Sequence, residues 1–114
     1  MTVLYGIKNC DSVKKAKKWL EQEHIPYQFH DFRSEGFNAE LLQTLLKYTE
    51  LPLLLNKRST TFRNVDQATK DNLTDEVIKE LLIAQPTLIK RPLLQHQHTL
   101  LVGFKAEQYQ EVFA

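Results

Sequence analysis

The sequence predicts an α/β fold, a four-stranded mixed sheet flanked by helices, on three observations. Strand, helix and strand patterns follow one another within the first thirty or so residues. The middle of the chain carries helical periodicity. The last part holds two apolar runs around a polar turn, followed by an amphipathic stretch.

The first element is "TVLYGI", a β-branched and aromatic run bounded by Gly6, which reads as a short buried strand. Asp11 to Glu23 reads as a helix: Val13, Ala16 and Leu20 share one face, Trp19 widens the stripe, and Lys14, Lys15, Lys17 and Lys18 form the wet side. Pro26 opens "PYQFHDF", whose alternation of Tyr27, Phe29 and Asp31 with Gln28 and His30 predicts a second strand. A strand–helix–strand unit of this length predicts a parallel pair with a right-handed crossover.

Asn38 is placed to cap a helix running to about Thr49, with Leu41, Leu42, Leu45 and Leu46 on one face. "LPLLLNKRSTTFRN" is less regular. Asn64 or Asp66 starts a short helix through Asn72, and Thr74 caps a helix that ends before Pro86. "PLLQHQHTLLVGF" predicts a β-hairpin with His96 and His98 in its exposed turn, and Lys105 to Phe113 a closing helix. A βαβ unit followed by a ββα unit is the thioredoxin-like arrangement. The expected organisation is one domain over 1–114, with a helical insertion at roughly 37–86.

Composition narrows the function classes. The chain has 114 residues, 42% hydrophobic and 25% charged, with 15 basic and 14 acidic side chains. That balance gives no global attraction to nucleic acid or an anionic membrane, so any anion site is local. The chain shows no secretory signal and no run long enough to span a bilayer. Gly6, Gly36 and Gly103 are too scattered for a phosphate loop, and His24, His30, His96 and His98 show no metal spacing. One cysteine forms no internal disulfide and fits a reducing cytoplasm. Nothing in the pattern calls for more than a monomer.

That cysteine, Cys10, stands between the first strand and the first helix. Two readings are open. Free cysteine is among the most buried residue types and often inert. At a helix N-terminus, however, unpaired N–H groups and the positive end of the dipole favour the nucleophilic thiolate. Lys8 and Lys14 add positive charge nearby in the sequence, and Asn9 with the following N–H groups could steady the sulfur. Arg91 before Pro92 in "IKRPLL", and Lys57, Arg58 and Arg63 in "NKRSTTFR", each read alone as surface cations. Read with Cys10, the arginines offer donor forks for a carboxylate or oxyanion.

Together "GIKNCDSVKKAKKWL", "YQFHDFR", "LLNKRSTTFR" and "IKRPLL" resemble the arsenate reductase (ArsC) family over essentially the whole chain, in particular its YffB-like branch, related to the regulator Spx. The resemblance implies a thioredoxin-like fold with a helical insertion. It implies that Cys10 is the active-site thiol, that Arg58 and Arg91 lie near it, and that Pro92 is a cis-proline. It also implies glutathione or another small thiol as co-substrate, with no bound cofactor or metal, and a protein disulfide as a further possible substrate.

The chain departs from the family's arsenate reductases. Their loop is of the type "HNPxCGTSR", whereas this one reads "GIKNCDSVK". Where a third arginine is expected it reads "LLVGFK". Spx-type regulators carry a C-x-x-C pair, but here the second position is Val13. The leading expectation is therefore a glutathione-dependent thiol oxidoreductase. Oxyanion reduction and a non-enzymatic, Spx-like regulatory role are the alternatives.

Overall fold

The computed structural model describes residues 2–114. The chain forms two compact units: one from residues 1–36 and 91–114, the other from residues 37–90.

The first unit carries the sheet. Its strands are β1 (Thr2–Gly6), β2 (Gln28–Asp31), β3 (Leu93–His96) and β4 (Thr99–Val102), in the order β2-β1-β3-β4. β1 runs parallel to β2 and antiparallel to β3, and β3 pairs antiparallel with β4. This is the expected mixed sheet, with β1 and β3 in its interior positions. Leu4 and Leu94 pack with Val13, Ala16 and Leu20 of α1 (Asp11–Gln22) and with Tyr109 of the C-terminal helix (Ala106–Phe113). Each fully buried valine or leucine side chain here contributes about 1.5–3 kcal/mol.

Helix α1 is defined at both ends. Cys10 is extended, and the first helical bond runs from the Lys14 N–H to the Cys10 carbonyl at 3.0 Å. At the other end the His24 N–H donates to Glu21 O and the Ile25 N–H to Leu20 O. That pair of bonds is a Schellman motif, with His24 at φ +56° in the position where glycine is preferred. Ile25 closes the motif by packing on the core that holds Leu20. Pro26 follows, and β2 begins only at Gln28, two residues later than the expected strand.

The lysine face is not uniformly wet. Lys14, Lys15 and Lys18 are exposed, but Lys17 is half-buried, with its Nζ 3.6 Å from the centre of the Phe29 ring. A cation over a ring face is stabilised by the ring quadrupole. His96 also departs from expectation. It belongs to β3 rather than to the turn, its Nδ1 lies 2.7 Å from Thr2 Oγ1, and its ring centre is 4.6 Å from that of Phe113. Only Gln97 and His98 make the turn, Gln97 at φ +53° as a two-residue hairpin demands.

The second unit is helical: α2 (Ala39–Leu45), α3 (Leu51–Leu54), α4 (Thr60–Arg63), α5 (Gln67–Lys70) and α6 (Asp75–Ala84), then a 3₁₀ turn at Pro86–Leu88. Asn38, Ser59, Asp66 and Thr74 each cap a helix by accepting an N–H bond three residues on. The two hydrogen bonds from Thr69 hold the Asp66 carboxyl below its ordinary range. α2 stops at Leu45, short of Thr49, because the Lys47 and Tyr48 N–H groups turn to carbonyls three residues back. The irregular "LPLLLNKRSTTFRN" contains two single-turn helices, since Pro52 suits a first helical turn and Ser59 caps the next. Leu42, Leu45, Leu54, Ile78, Leu82 and Leu88 are buried. Among the described residues no helix is long and apolar enough to cross a membrane.

Three outcomes follow from this packing. A Cβ built on Gly6 would lie 2.6 Å from Val13 Cγ2, so Gly6→Ala lowers the unfolding free energy by about 1–3 kcal/mol. The loss shrinks on a Val13→Ala background, as a denaturant double-mutant cycle will show. His24→Gly, which relieves the left-handed strain, raises stability by about 1 kcal/mol in the same assay. At high pH, burial and the hydrogen bond to Glu21 push the Tyr27 hydroxyl up to about 12 from an ordinary 10.0. The folded state thus favours the protonated phenol. That contribution is complete below pH 10, is lost as pH rises toward 12, and is absent from the alkaline titration of Tyr27→Phe.

Candidate active site

β1 and β2 are parallel, so their C-terminal ends lie at the same edge of the sheet, with Gly6 opposite Asp31. β1 feeds a tight turn, Ile7–Lys8–Asn9–Cys10, closed by the Cys10 N–H donating to Ile7 O at 3.3 Å. Cys10 is then the N-cap residue of α1, at φ −107° and ψ 128°. The N–H groups of Asp11, Ser12 and Val13 precede the first intrahelical bond and have no acceptor within the helix.

The Cys10 thiol is free and half-buried, and it packs against the core of Leu4, Val13 and Tyr109. It makes no capping hydrogen bond to the N–H groups that follow it. The helix end therefore acts on the sulfur through its dipole rather than through a directed bond. Asp11, in the same turn, opposes that field. Asn9, Lys8 and Lys14 are exposed around the turn.

The antiparallel register brings the other end of the chain to this edge. Tyr5 lies opposite Leu93, so the two residues before β3 extend beside the exit of β1. They are Arg91, half-buried, and Pro92, fully buried, and the peptide bond between them is cis. The Pro92 carbonyl accepts the Gly103 N–H at 2.8 Å, which fastens this segment to the end of β4. Asn9, Cys10, Lys14, Arg91 and Pro92 thus all belong to the sheet-bearing unit and to one end of its sheet. Arg58 belongs to the helical unit. It is exposed in the turn before α4, where its backbone N–H donates to Asn56 Oδ1 at 3.1 Å.

One residue at this edge escaped the sequence reading. The Asp31 carboxylate accepts the Lys8 N–H on Oδ2 at 3.3 Å and the Arg33 N–H on Oδ1 at 2.8 Å. Its only signal in the sequence was its place at the end of an alternating strand. Among the described residues no group of three or more His, Cys, Asp or Glu could hold a metal ion.

A βαβ–ββα sheet with one cysteine at the first helix N-terminus and a cis-proline at the same edge defines a thioredoxin-like domain. A glutaredoxin from Archaeoglobus fulgidus shares the fold at a TM-score of 0.51 and 10% identity over 98% of this chain and 84% of that one. Within that class the chain belongs to the ArsC family, whose model matches residues 5–112. It is similar to the protein YFFB, at 41% identity and a TM-score of 0.93 over 100% of both chains. It is also similar to an arsenate reductase (ArsC) related protein from Brucella melitensis, at 45% identity and a TM-score of 0.79, covering 98% of this chain and 93% of that one. Global transcriptional regulator Spx 2 from Bacillus anthracis is 31% identical over 95% of this chain and 83% of its own length.

Half-burial and the surrounding lysines together make a reactivity prediction. Native Cys10 takes up one equivalent of the neutral reagent iodoacetamide without denaturant. The rate with anionic iodoacetate relative to iodoacetamide falls as salt is added. Lys14→Gln lowers that ratio by an amount worth about 0.2–1 kcal/mol, the range for exposed charge pairs.

Proposed function

We propose that this protein is a thiol oxidoreductase in which Cys10 is the single nucleophile and glutathione, or another small thiol, supplies the second sulfur. The observation that carries the reading is Val13. Three residues after Cys10, where a paired cysteine would stand, the side chain is a fully buried valine against Gly6. Any sulfur that resolves a disulfide on Cys10 comes from outside the chain.

The chemistry closes in two exchanges. The Cys10 thiolate attacks the glutathionyl sulfur of a mixed disulfide, an S–S bond forms on Cys10, and the substrate leaves as its thiolate. A glutathione thiolate then attacks the Cys10–glutathione disulfide, releasing oxidised glutathione and regenerating the Cys10 thiolate. One glutathione thiol is oxidised and the substrate's sulfur is reduced to a thiol, while the transferred glutathionyl sulfur stays at the disulfide level throughout. Arg91 supports this reading because it belongs to the same end of the sheet as Cys10 and a guanidinium fork suits a glutathione carboxylate through two parallel N–H bonds. The family resemblance assigns the same task to Arg58. Asn9 and Lys14 border the turn on which the mixed disulfide would form. A protein disulfide remains a substrate of the same chemistry.

The likeness to Spx favours a second reading, a regulatory binding role independent of the thiol. The name of the Brucella relative favours a third, reduction of an oxyanion such as arsenate. One set of measurements separates them. Exposure to oxidised glutathione adds a single glutathione to the wild type by intact mass, none to Cys10→Ser, and adds it more slowly to Arg91→Ala and to Arg58→Ala. Loss of one charge-assisted contact corresponds to about 1.5–3 kcal/mol, or roughly ten- to hundredfold in rate. A wild type that takes up no glutathione sinks the oxidoreductase reading. A partner retained by Cys10→Ser then points to regulation, and glutathione-coupled arsenate turnover that vanishes in Arg58→Ala points to oxyanion reduction.

A further inference from the structure

We infer that Asp31 is a positioning residue for the Cys10 thiol, a role that rests on the function proposed for that thiol. The turn Ile7–Cys10 contains neither proline nor glycine, so its own covalent chemistry does little to restrict it. Its one internal backbone bond is the 3.3 Å contact from the Cys10 N–H to Ile7 O. A four-residue turn held this way is restrained at its ends and free in the middle.

Asp31 supplies the missing restraint. Its Oδ2 accepts the Lys8 N–H, 23 residues away in sequence, and ties the middle of the turn to the end of β2. Asp31 is itself held by three further hydrogen bonds, one to its carboxylate and two to its backbone. Oδ1 accepts the Arg33 N–H at 2.8 Å. The Asp31 N–H donates to Glu35 Oε2 at 3.0 Å, and the Asp31 carbonyl accepts the Glu35 N–H at 2.8 Å. The next residue continues the ladder, with the Phe32 N–H donating to Gly6 O at 2.9 Å. Asp31 is therefore a fixed post, braced by Glu35, against which the nucleophile's turn is set. A thiol carried on a restrained turn meets an incoming disulfide in line more often than one on a loose turn.

The sign of the effect separates positioning from charge. A carboxylate near a thiolate disfavours it, so if Asp31 acted as a charge alone, removing it would speed the reaction of Cys10. Positioning demands the opposite. Serine at 31 keeps a local contact to residue 33, as serine turns do, but is too short to reach Lys8. Glutamate keeps both charge and acceptor.

The test uses the full chain and three readouts: addition of glutathione from oxidised glutathione, alkylation by iodoacetamide, and amide hydrogen exchange. Asp31→Ser slows glutathione addition by roughly tenfold or more, and Asp31→Glu recovers part of the loss. Amide exchange in the serine variant accelerates at Lys8 to Cys10 while β1 stays protected. Asp66→Ala, which removes a carboxylate cap in the helical unit, leaves the Cys10 rates unchanged. A serine variant that reacts as fast as wild type or faster overturns the inference, as does unchanged exchange at Lys8. If the wild type adds no glutathione, the function proposed above fails, while iodoacetamide alkylation and exchange still decide the role of Asp31. Should Asp31→Ser not fold, the Lys8 amide of the wild type decides, and free exchange there overturns the inference.

Discussion

The approach of α1 to the end of β1 is the constraint on which the sheet-bearing unit depends. Gly6 lets the first turn of the helix come so close that a Cβ would meet Val13 at 2.6 Å. That closeness makes a four-residue connection possible between strand and helix. It also buries Val13 completely and sets Ala16 and Leu20 over Leu4 and Leu94. A bulkier residue at 6 would lift the helix and, with it, the residue at its N-cap. The position of Cys10 is thus a consequence of core packing, because protein interiors transmit small displacements rather than absorbing them.

The same contact decides what chemistry is open to the thiol. Position 13 faces the core, so it contributes apolar area where a redox pair would contribute a second sulfur. Cys10 itself is divided. One side of it packs on the core, and the other lies at the end of a helix whose first N–H groups have no internal acceptor. The cations nearest to it in the chain, Lys8 and Lys14, are exposed, and a half-buried arginine, Arg91, precedes the cis-proline at the same end of the sheet.

The helical unit is built differently. Its helices are short, and single turns are marginal by themselves. Asn38, Ser59, Asp66 and Thr74 each satisfy a first-turn N–H, and buried leucines hold the turns together. Two strand-like contacts join its middle to its C-terminal end: the Asn56 N–H to Leu88 O at 2.7 Å and the Lys90 N–H to Leu54 O at 2.8 Å. The second brings the chain to Arg91 and so to the start of β3.

Local chemistry was legible in the sequence. Alternation and helical spacing revealed β1, α1 and the hairpin, the capping residues revealed α2 and α6, and the place of Cys10 at a strand–helix junction followed from both. The resemblance added Arg58, Arg91 and Pro92. What the sequence could not determine lay in pairings between distant residues. Lys17 over Phe29, His96 against Thr2 and Asp31 holding Lys8 each join residues far apart in the chain, 94 residues in the case of His96. Periodicity sees one face of one element. It carries no information about which side chain from another element will arrive there. By itself the sequence determined that one cysteine would sit at a helix N-terminus with no second cysteine in the 114 residues to pair with it. Only the tertiary structure decided what the turn before that cysteine touches, because the hydrogen bond from the Lys8 N–H to Asp31 exists only once β2 has paired with β1.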